Sequence, residues 1–205
     1  GCSNGVRGLF MGGENDSPSS NTYNDVIDYC TIASIGNALD FGNLSAARDS
    51  GGVCSSPTRG VCGGGFDSGN SDVIDFVTIA TTGNATDFGN LTAARTQATG
   101  CASATRGLFM GGRIAPNYKA EIDFITIAST GNATDFGDLT SAGTQPVGTS
   151  SPTRAVFSGR SDAGGEEAVI DYVQIMSTGD AIDFGYLLAG RRNIAGASNG
   201  HGGLG

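Results

Sequence analysis

Ile122-Asp123-Phe124-Ile125-Thr126-Ile127-Ala128-Ser129-Thr130-Gly131-Asn132-Ala133-Thr134-Asp135-Phe136-Gly137-Asp138-Leu139 decides the fold, because the chain carries this stretch in four variants. Ile-Asp-aromatic returns at Ile27-Asp28-Tyr29, Ile74-Asp75-Phe76 and Ile170-Asp171-Tyr172. Asp-Phe-Gly returns at Asp40-Phe41-Gly42, Asp87-Phe88-Gly89 and Asp183-Phe184-Gly185. Upstream of each copy stands an Arg-led apolar run closed by glycine: Arg7 to Gly13, Arg59 to Gly64, Arg106 to Gly112, and the weaker Arg154 to Gly159. Arg59, Arg106 and Arg154 are spaced by 47 and 48 positions, and only the first copy carries a longer loop. A fixed period of this size marks stacked supersecondary units.

Within a unit, four short runs have strand character. In the Ile-Asp-aromatic run one face carries Ile27 and Tyr29 and the other Cys30 and Ile32, and the copies keep apolar side chains on both faces. Side chains alternate across a strand, so such a run has to be covered on both sides, which stacked sheets would do. Gly36-Asn37, Gly83-Asn84, Gly131-Asn132 and Gly179-Asp180 follow. With glycine first, these pairs predict two-residue type II′ hairpin turns. The third run holds Asp-Phe-Gly. The fourth follows Arg48, Arg95 or Arg191 and includes Gly52 to Ser55 and Thr99 to Ala102.

Composition agrees with many short strands joined by tight turns: 35 glycines, no Trp, and 15% charged residues. A net charge of −9 argues against nucleic acid, whose phosphates call for a basic stripe, and against an anionic membrane surface. No stretch approaches the roughly 20 apolar residues of a membrane-spanning helix, so no membrane insertion is expected. The chain opens at Gly1 directly into repeat-like sequence. That predicts a processed product or a piece of something longer.

Glycine-closed strand, variable loop, aromatic strand, hairpin, and Leu-x-x-Ala-Arg before a small-residue strand: in this order the unit resembles a kelch repeat. The Trp usual in that family's third strand is replaced by Phe41, Phe88, Phe136 and Phe184. The wording from Ile122 to Leu139 is similar to kelch-like repeats in bacteriophage structural proteins, especially phages of aquatic bacteria. The resemblance covers essentially the whole chain. It implies an all-β, kelch-like β-propeller of about four four-stranded antiparallel blades, built as one repeat domain over residues 1–205. The repeats run approximately over 7–58, 59–105, 106–153 and 154–201. Cys2-Ser3-Asn4-Gly5 matches Ala197-Ser198-Asn199-Gly200, so the chain starts and stops at one phase of the repeat. Either four blades close into a ring or they belong to a larger propeller. The chain is accordingly expected to form a homo-oligomer or part of a larger assembly.

Candidate chemistry is sparse. Cys2, Cys54 and Cys101 share a column with Thr149 and Ala197, while Cys62 and Cys30 stand where other copies have Phe and Val or Ile. Interchange of small or apolar residues predicts buried free thiols rather than bridges. Asp-Phe-Gly also occurs in protein kinases, but four copies at repeat spacing predict Asp residues that cap backbone amides. Asp28, Asp75, Asp123 and Asp171 are read the same way, with pairing to Arg as the alternative. The single His201 cannot build a His-rich metal site, and no Cys-x-x-Cys pair exists. No cofactor is expected; calcium on loop carboxylates Asp67, Asp72, Asp162, Glu166 and Glu167 is a minor alternative without EF-hand spacing. No residue stands out as catalytic.

The copies disagree between the glycine pair and the Ile-Asp-aromatic strand, over 14–25, 66–72, 113–121 and 160–168. Variable loops on a uniform scaffold are where specificity usually resides, drift of exposed loops being the competing explanation. Tyr23, Asp67, Asp72, Tyr118, Glu166 and Glu167 are the candidate binding-loop residues, the two tyrosines foremost because exposed aromatics serve as anchors. The expected function is a non-enzymatic virion component (fibre, tail appendage or capsid-surface protein), placed on the virion or otherwise outside the cell. Its expected partners are other virion proteins or a host surface glycan. A secreted lectin-like kelch module of a bacterium is the alternative, and a polysaccharide-degrading enzyme the second.

Overall fold

A computed structural model describes residues 1–15 and 22–198, so part of the first variable loop and His201 lie outside it. The described residues contain strands, turns and bends, and no helix. Four antiparallel sheets follow one another along the chain. The first is β1 (Cys2–Ser3), β2 (Arg7–Asn15), β3 (Thr22–Thr31) and β4 (Leu39–Asn43). The second is β5 (Gly52–Ser55), β6 (Arg59–Gly63), β7 (Val73–Thr78) and β8 (Thr86–Asn90). The third holds β9 (Thr99–Ala102) and β10 (Arg106–Met110), then the side ribbon β11 (Arg113–Ile114) and β12 (Asn117–Tyr118), then β13 (Glu121–Thr126) and β14 (Thr134–Asp138). The fourth repeats that plan with β15 (Val147–Ser150), β16 (Arg154–Ser158), ribbon strands β17 (Ser161–Asp162) and β18 (Gly165–Glu166), β19 (Val169–Gln174) and β20 (Ile182–Tyr186).

In every sheet the strands pair in chain order. The small-residue run after Leu-x-x-Ala-Arg therefore belongs to the sheet that follows it. Val53 pairs with Cys62 and Cys54 with Val61, because Ser56-Pro57-Thr58 is too short to do anything but turn back, closed by Ser56 N–H donating to Arg59 O at 2.9 Å. Sheet boundaries thus fall at about residues 52, 99 and 147, some seven residues ahead of the Arg anchors that mark the period in sequence.

The sheets stack face to face in the same order. One face of each carries Leu9, Ile27, Phe41 and Leu44 or their equivalents; the other carries Cys62, Val77 and Ile79 or theirs. These two faces meet at each junction: Ile74 and Phe88 against Phe109 and Ile125, then Ile122 and Phe136 against Phe157 and Val173. Ile27, Ile74 and Ile122 are all fully buried in like surroundings. Burying one such side chain is worth about 1.5–3 kcal/mol, so the junctions supply the core of the molecule. Within each sheet the two aromatics meet edge to face, as in Phe76 with Phe88 at 5.8 Å.

The Arg anchors tie junctions together. Arg59 lies over the Phe76 ring at 4.3 Å and donates through Nη1 to Ile127 O of the next sheet at 2.8 Å. Arg7 and Arg106 repeat this with Ile79 O and Ile175 O.

The predicted type II′ turns are absent. β7 ends at Thr78 and β8 begins at Thr86, and the tight turn closes right after β7, with Thr81 N–H donating to Thr78 O. Gly83-Asn84 lies at the far end of that loop and docks on the previous sheet. Gly83 and Ala85 N–H donate to Phe41 O and Asn43 O at 2.7 Å, and Asn84 Oδ1 accepts from Asn43 N–H at 3.1 Å. Gly83 has φ +154°, far from the roughly +60° that the turn needs. Close approach requires glycine at Gly42, where a Cβ would sit 2.5 Å from Gly83 backbone; a Cβ on Gly83 itself would meet nothing, and its positive φ is what favours glycine there.

Candidate functional site

The candidate binding loops sit on the connections between the second and third strand of each sheet, and neighbouring units pin them. Asp49 and Phe66 exchange two backbone hydrogen bonds at 3.0 Å; Thr96 with Arg113 and Thr144 with Ser161 do the same. The bases of the second, third and fourth loops are therefore held by the arm leaving the previous sheet. Along those arms Ser50, Gln97, Gln145 and Asn193 all adopt φ between +52° and +59°. Left-handed backbone is uncommon outside glycine, and its repetition follows from a ladder: Gln97 N–H donates to Ser50 O and Gln145 N–H to Gln97 O. No sequence signal other than the fixed phase of these four positions could have found it.

Between the second and third units the arms and loops enclose a cleft of about 260 Å³ lined by Asp49, Ser50, Phe66, Asn70, Thr96, Gln97, Arg113 and Ala115. Two buried polar atoms there, Asp49 Oδ1 and Arg113 Nε, have no hydrogen-bond partner among the described residues. A half-buried aromatic edge, two planar amides, a guanidinium and a carboxylate thus converge on one small concavity.

The sequence-derived candidates fall around this cleft in different ways. Tyr23 packs edge-on against Phe66 at 5.9 Å, joining the first loop to the second. Its phenol is raised above the ordinary value by desolvation and by the nearby charges of Glu14, Asp49 and Asp67. Tyr118 lies under the Arg113 guanidinium at 5.8 Å and holds it from behind. Asp67 accepts from Ser68 N–H, and from Gly69 N–H at 3.0 Å, which lowers its carboxyl below the usual range. Asp72 contributes its backbone carbonyl, which accepts from Leu91 N–H at 2.7 Å. Glu166 reaches Arg192 at 3.6 Å on the exposed side of the fourth unit. Glu167 turns inward to Arg160 at 2.8 Å. The structure brings Tyr23, Asp67 and Tyr118 to the cleft's margin and leaves Glu166 and Glu167 with the fourth sheet. Among the described residues no group of three or more His, Cys, Asp or Glu side chains is placed to hold a metal ion.

Three of the four Ile-Asp-aromatic acids are charge-paired beneath the junctions. Asp75 meets Arg48 at 2.9 Å, Asp123 meets Arg95 at 3.0 Å and Asp171 meets Arg160 at 2.7 Å, every side chain buried. Burial lowers the Arg95 guanidinium from its ordinary value, with Asp123 opposing that shift. The arginines come from two places: Arg48 and Arg95 from the arm of the previous sheet, Arg160 from the aspartate's own sheet. The Asp-Phe-Gly acids act locally. Asp87, Asp135 and Asp183 accept from the N–H of Gly89, Gly137 and Gly185, bracing the bulge that carries the Phe.

All five cysteines are free. Desolvation raises the thiols of Cys54, Cys62 and Cys101, and holds Cys2 at about 12, so these four stay protonated and are not poised as nucleophiles. Cys2, Cys54 and Cys101 line a shallow groove of about 160 Å³ along the small-residue strands.

No protein-family model and no curated protein matches this chain.

Proposed function

We propose that the four sheets are kelch-like propeller blades and that the chain is a non-enzymatic virion structural and interaction protein. In this reading it is a fibre, tail-appendage or capsid-surface component whose rim binds a host surface glycan or another virion protein. The wording of the repeat supports the virion assignment through its resemblance to phage structural proteins. One observation carries the binding role: the inter-unit cleft, where Phe66, Asn70, Gln97 and Arg113 converge beside the unpartnered Asp49 Oδ1 and Arg113 Nε. An aromatic edge with amide, guanidinium and carboxylate groups suits a sugar, whose C–H groups pack against the ring while its hydroxyls pair. Tyr23, Tyr118 and Asp67 then act by positioning Phe66, Arg113 and the loop between them.

Two measurements test this. Mass spectrometry of purified particles should find the chain among virion proteins; its absence would contradict the virion assignment. On a glycan array the intact chain should retain a defined sugar class, with Phe66→Ala or Arg113→Ala weakening binding by about tenfold or more. The secreted lectin-like alternative rests on the same cleft, and it takes over if sugar is bound while particles lack the chain.

A further inference from the structure

The first and fourth sheets each leave uncovered the face that every inner junction buries. On the first sheet Phe10 is 58% and Ile32 56% exposed, whereas their equivalents Cys62, Phe109 and Phe157, and Ile79, Ile127 and Ile175, are buried. On the fourth sheet Phe184 is 54% exposed, whereas Phe41, Phe88 and Phe136 are buried. Polar groups divide in the same way. Asp28 on the first sheet occupies the column of the paired Asp75 and Asp123, and Arg191 after the fourth stands exposed in the column of Arg48 and Arg95. Arg154 lies over Tyr172 at 4.5 Å as the other anchors lie over their rings. Its counterparts donate to the carbonyls of Ile79, Ile127 and Ile175, and Ile32 is the residue of that column on the first sheet. Nothing lies within 4 Å of a Cβ built on Gly185, while its equivalents Gly42, Gly89 and Gly137 each meet the next loop's backbone at 2.5 Å.

We propose that these two faces are one interface split between molecules: the fourth sheet of one copy docks on the first sheet of a second copy of this chain, head to tail. The docked pair repeats the inner junction. Phe184 covers Cys30 and Ile32, Arg191 meets Asp28, Arg154 donates to Ile32 O, and Gly36 and Ala38 N–H donate to Phe184 O and Tyr186 O. The hydroxyl of Ser45, Thr92 and Thr140 is lost, since Leu188 stands in that column, and residues 196–198, which lie against Val147 and Thr149, give way to Cys2–Ser3 of the second copy. A heterologous contact of this kind closes into a ring if its rotation allows and otherwise continues as a filament. The inference stands on the junctions alone, independent of the loop-binding role.

The test is sedimentation of the intact chain across micromolar to several hundred micromolar concentration, with Phe10→Asp and Phe184→Asp as variants. Wild type should self-associate, and each variant alone should weaken association by about tenfold or more. An equimolar mixture of the two variants should recover it, because one intact face of each kind remains. A wild type that stays monomeric throughout overturns the proposal. So does association that survives either variant, or a mixture that fails to recover, since both indicate a different surface. Should a variant misfold, wild-type Cys30 supplies the second readout: its alkylation should slow as protein concentration rises, and a constant rate overturns the proposal. Sugar binding by the cleft should persist in Phe184→Asp, which separates this test from that of the binding role.

Discussion

The junction between the second and third sheets and that between the third and fourth solve one electrostatic problem by different routes. At the former, Arg95 descends from the arm and reaches Asp123 at 3.0 Å, while Thr92 donates to the same carboxylate through N–H and hydroxyl. At the latter the arm carries Gly143, and Arg160 rises from the facing sheet into the space that glycine leaves: a Cβ on Gly143 would lie 2.8 Å from Arg160 Cδ. Arg160 stands where the other copies have Gly13, Gly65 and Gly112. Arginine and glycine have changed places, and the guanidinium still lies on the aspartate. The position under the Asp demands a buried positive charge, and the fold accepts it from either wall.

Satisfaction differs between the two. Arg160 bonds Asp171, Glu167, Thr140 and Ser141, whereas Nε and Nη1 of Arg95 have no partner among the described residues. Removing one member of a buried pair leaves the other charge uncompensated, at a cost of about 3–5 kcal/mol. Asp123→Ala is therefore expected at the top of that range and Asp171→Ala nearer its foot, because Glu167 still neutralises Arg160. Chemical denaturation of the two variants measures the difference; equal losses would break the comparison.

Hydroxyl donors come next. Thr92→Val and Thr140→Val each remove a bond to a carboxylate, of 2.6 and 2.7 Å, worth about 1.5–3 kcal/mol. Thr140 also accepts from Arg160 at 3.2 Å, so its loss should be the greater of the two in the same assay. Asn132→Ala strips the side-chain acceptor that clasps Asn90 N–H at 3.1 Å and should lower stability by about 1 kcal/mol.

The smallest effect concerns Asp138, where two other copies have Asn43 and Asn90. Desolvation, then the charges of Glu121, Asp180 and Asp135, raise its carboxyl above the usual range. An acid raised on folding penalises the folded state where it is ionised, and that penalty fades as pH falls below the unfolded value. Asp138→Asn should therefore raise the thermal midpoint slightly at neutral pH, and the gain should vanish in acid. A gain that is independent of pH would assign it to something other than charge.

Much of this architecture was legible in the residues. Ile27, Ile74 and Ile122 at one phase, with apolar neighbours on the opposite face, already required strands covered on both sides. The Gly-Asn pairs misled because a local hairpin turn and the positive φ of these docking loops, +154° at Gly83, both select glycine, and only the packed molecule shows Gly42 against Gly83. One clue to the contact was present: the column is Asn37, Asn84, Asn132 and Asp180, and Asn and Asp share only the Oδ1 acceptor that the clasp uses. The cleft was half legible. Tyr23 and Tyr118 drew attention to loops that border it, but Phe66 and Arg113, which those tyrosines contact, looked ordinary in sequence. Gly143 and Arg160 were each visible as departures from their columns, yet 17 positions apart nothing in the sequence said that they face one another.

That exchange offers the most direct measurement of whether the junctions are one repeated device. Gly143→Arg, Arg160→Gly and the double variant form a cycle whose unfolding free energies can be compared with wild type. Each single change should destabilise by about 3 kcal/mol or more, one by crowding two guanidiniums and the other by orphaning Asp171. The double variant, rebuilt on the Arg95 pattern, should recover most of the loss. If its loss instead equals the sum of the two, the junctions are not equivalent and the account of a single repeated interface is wrong.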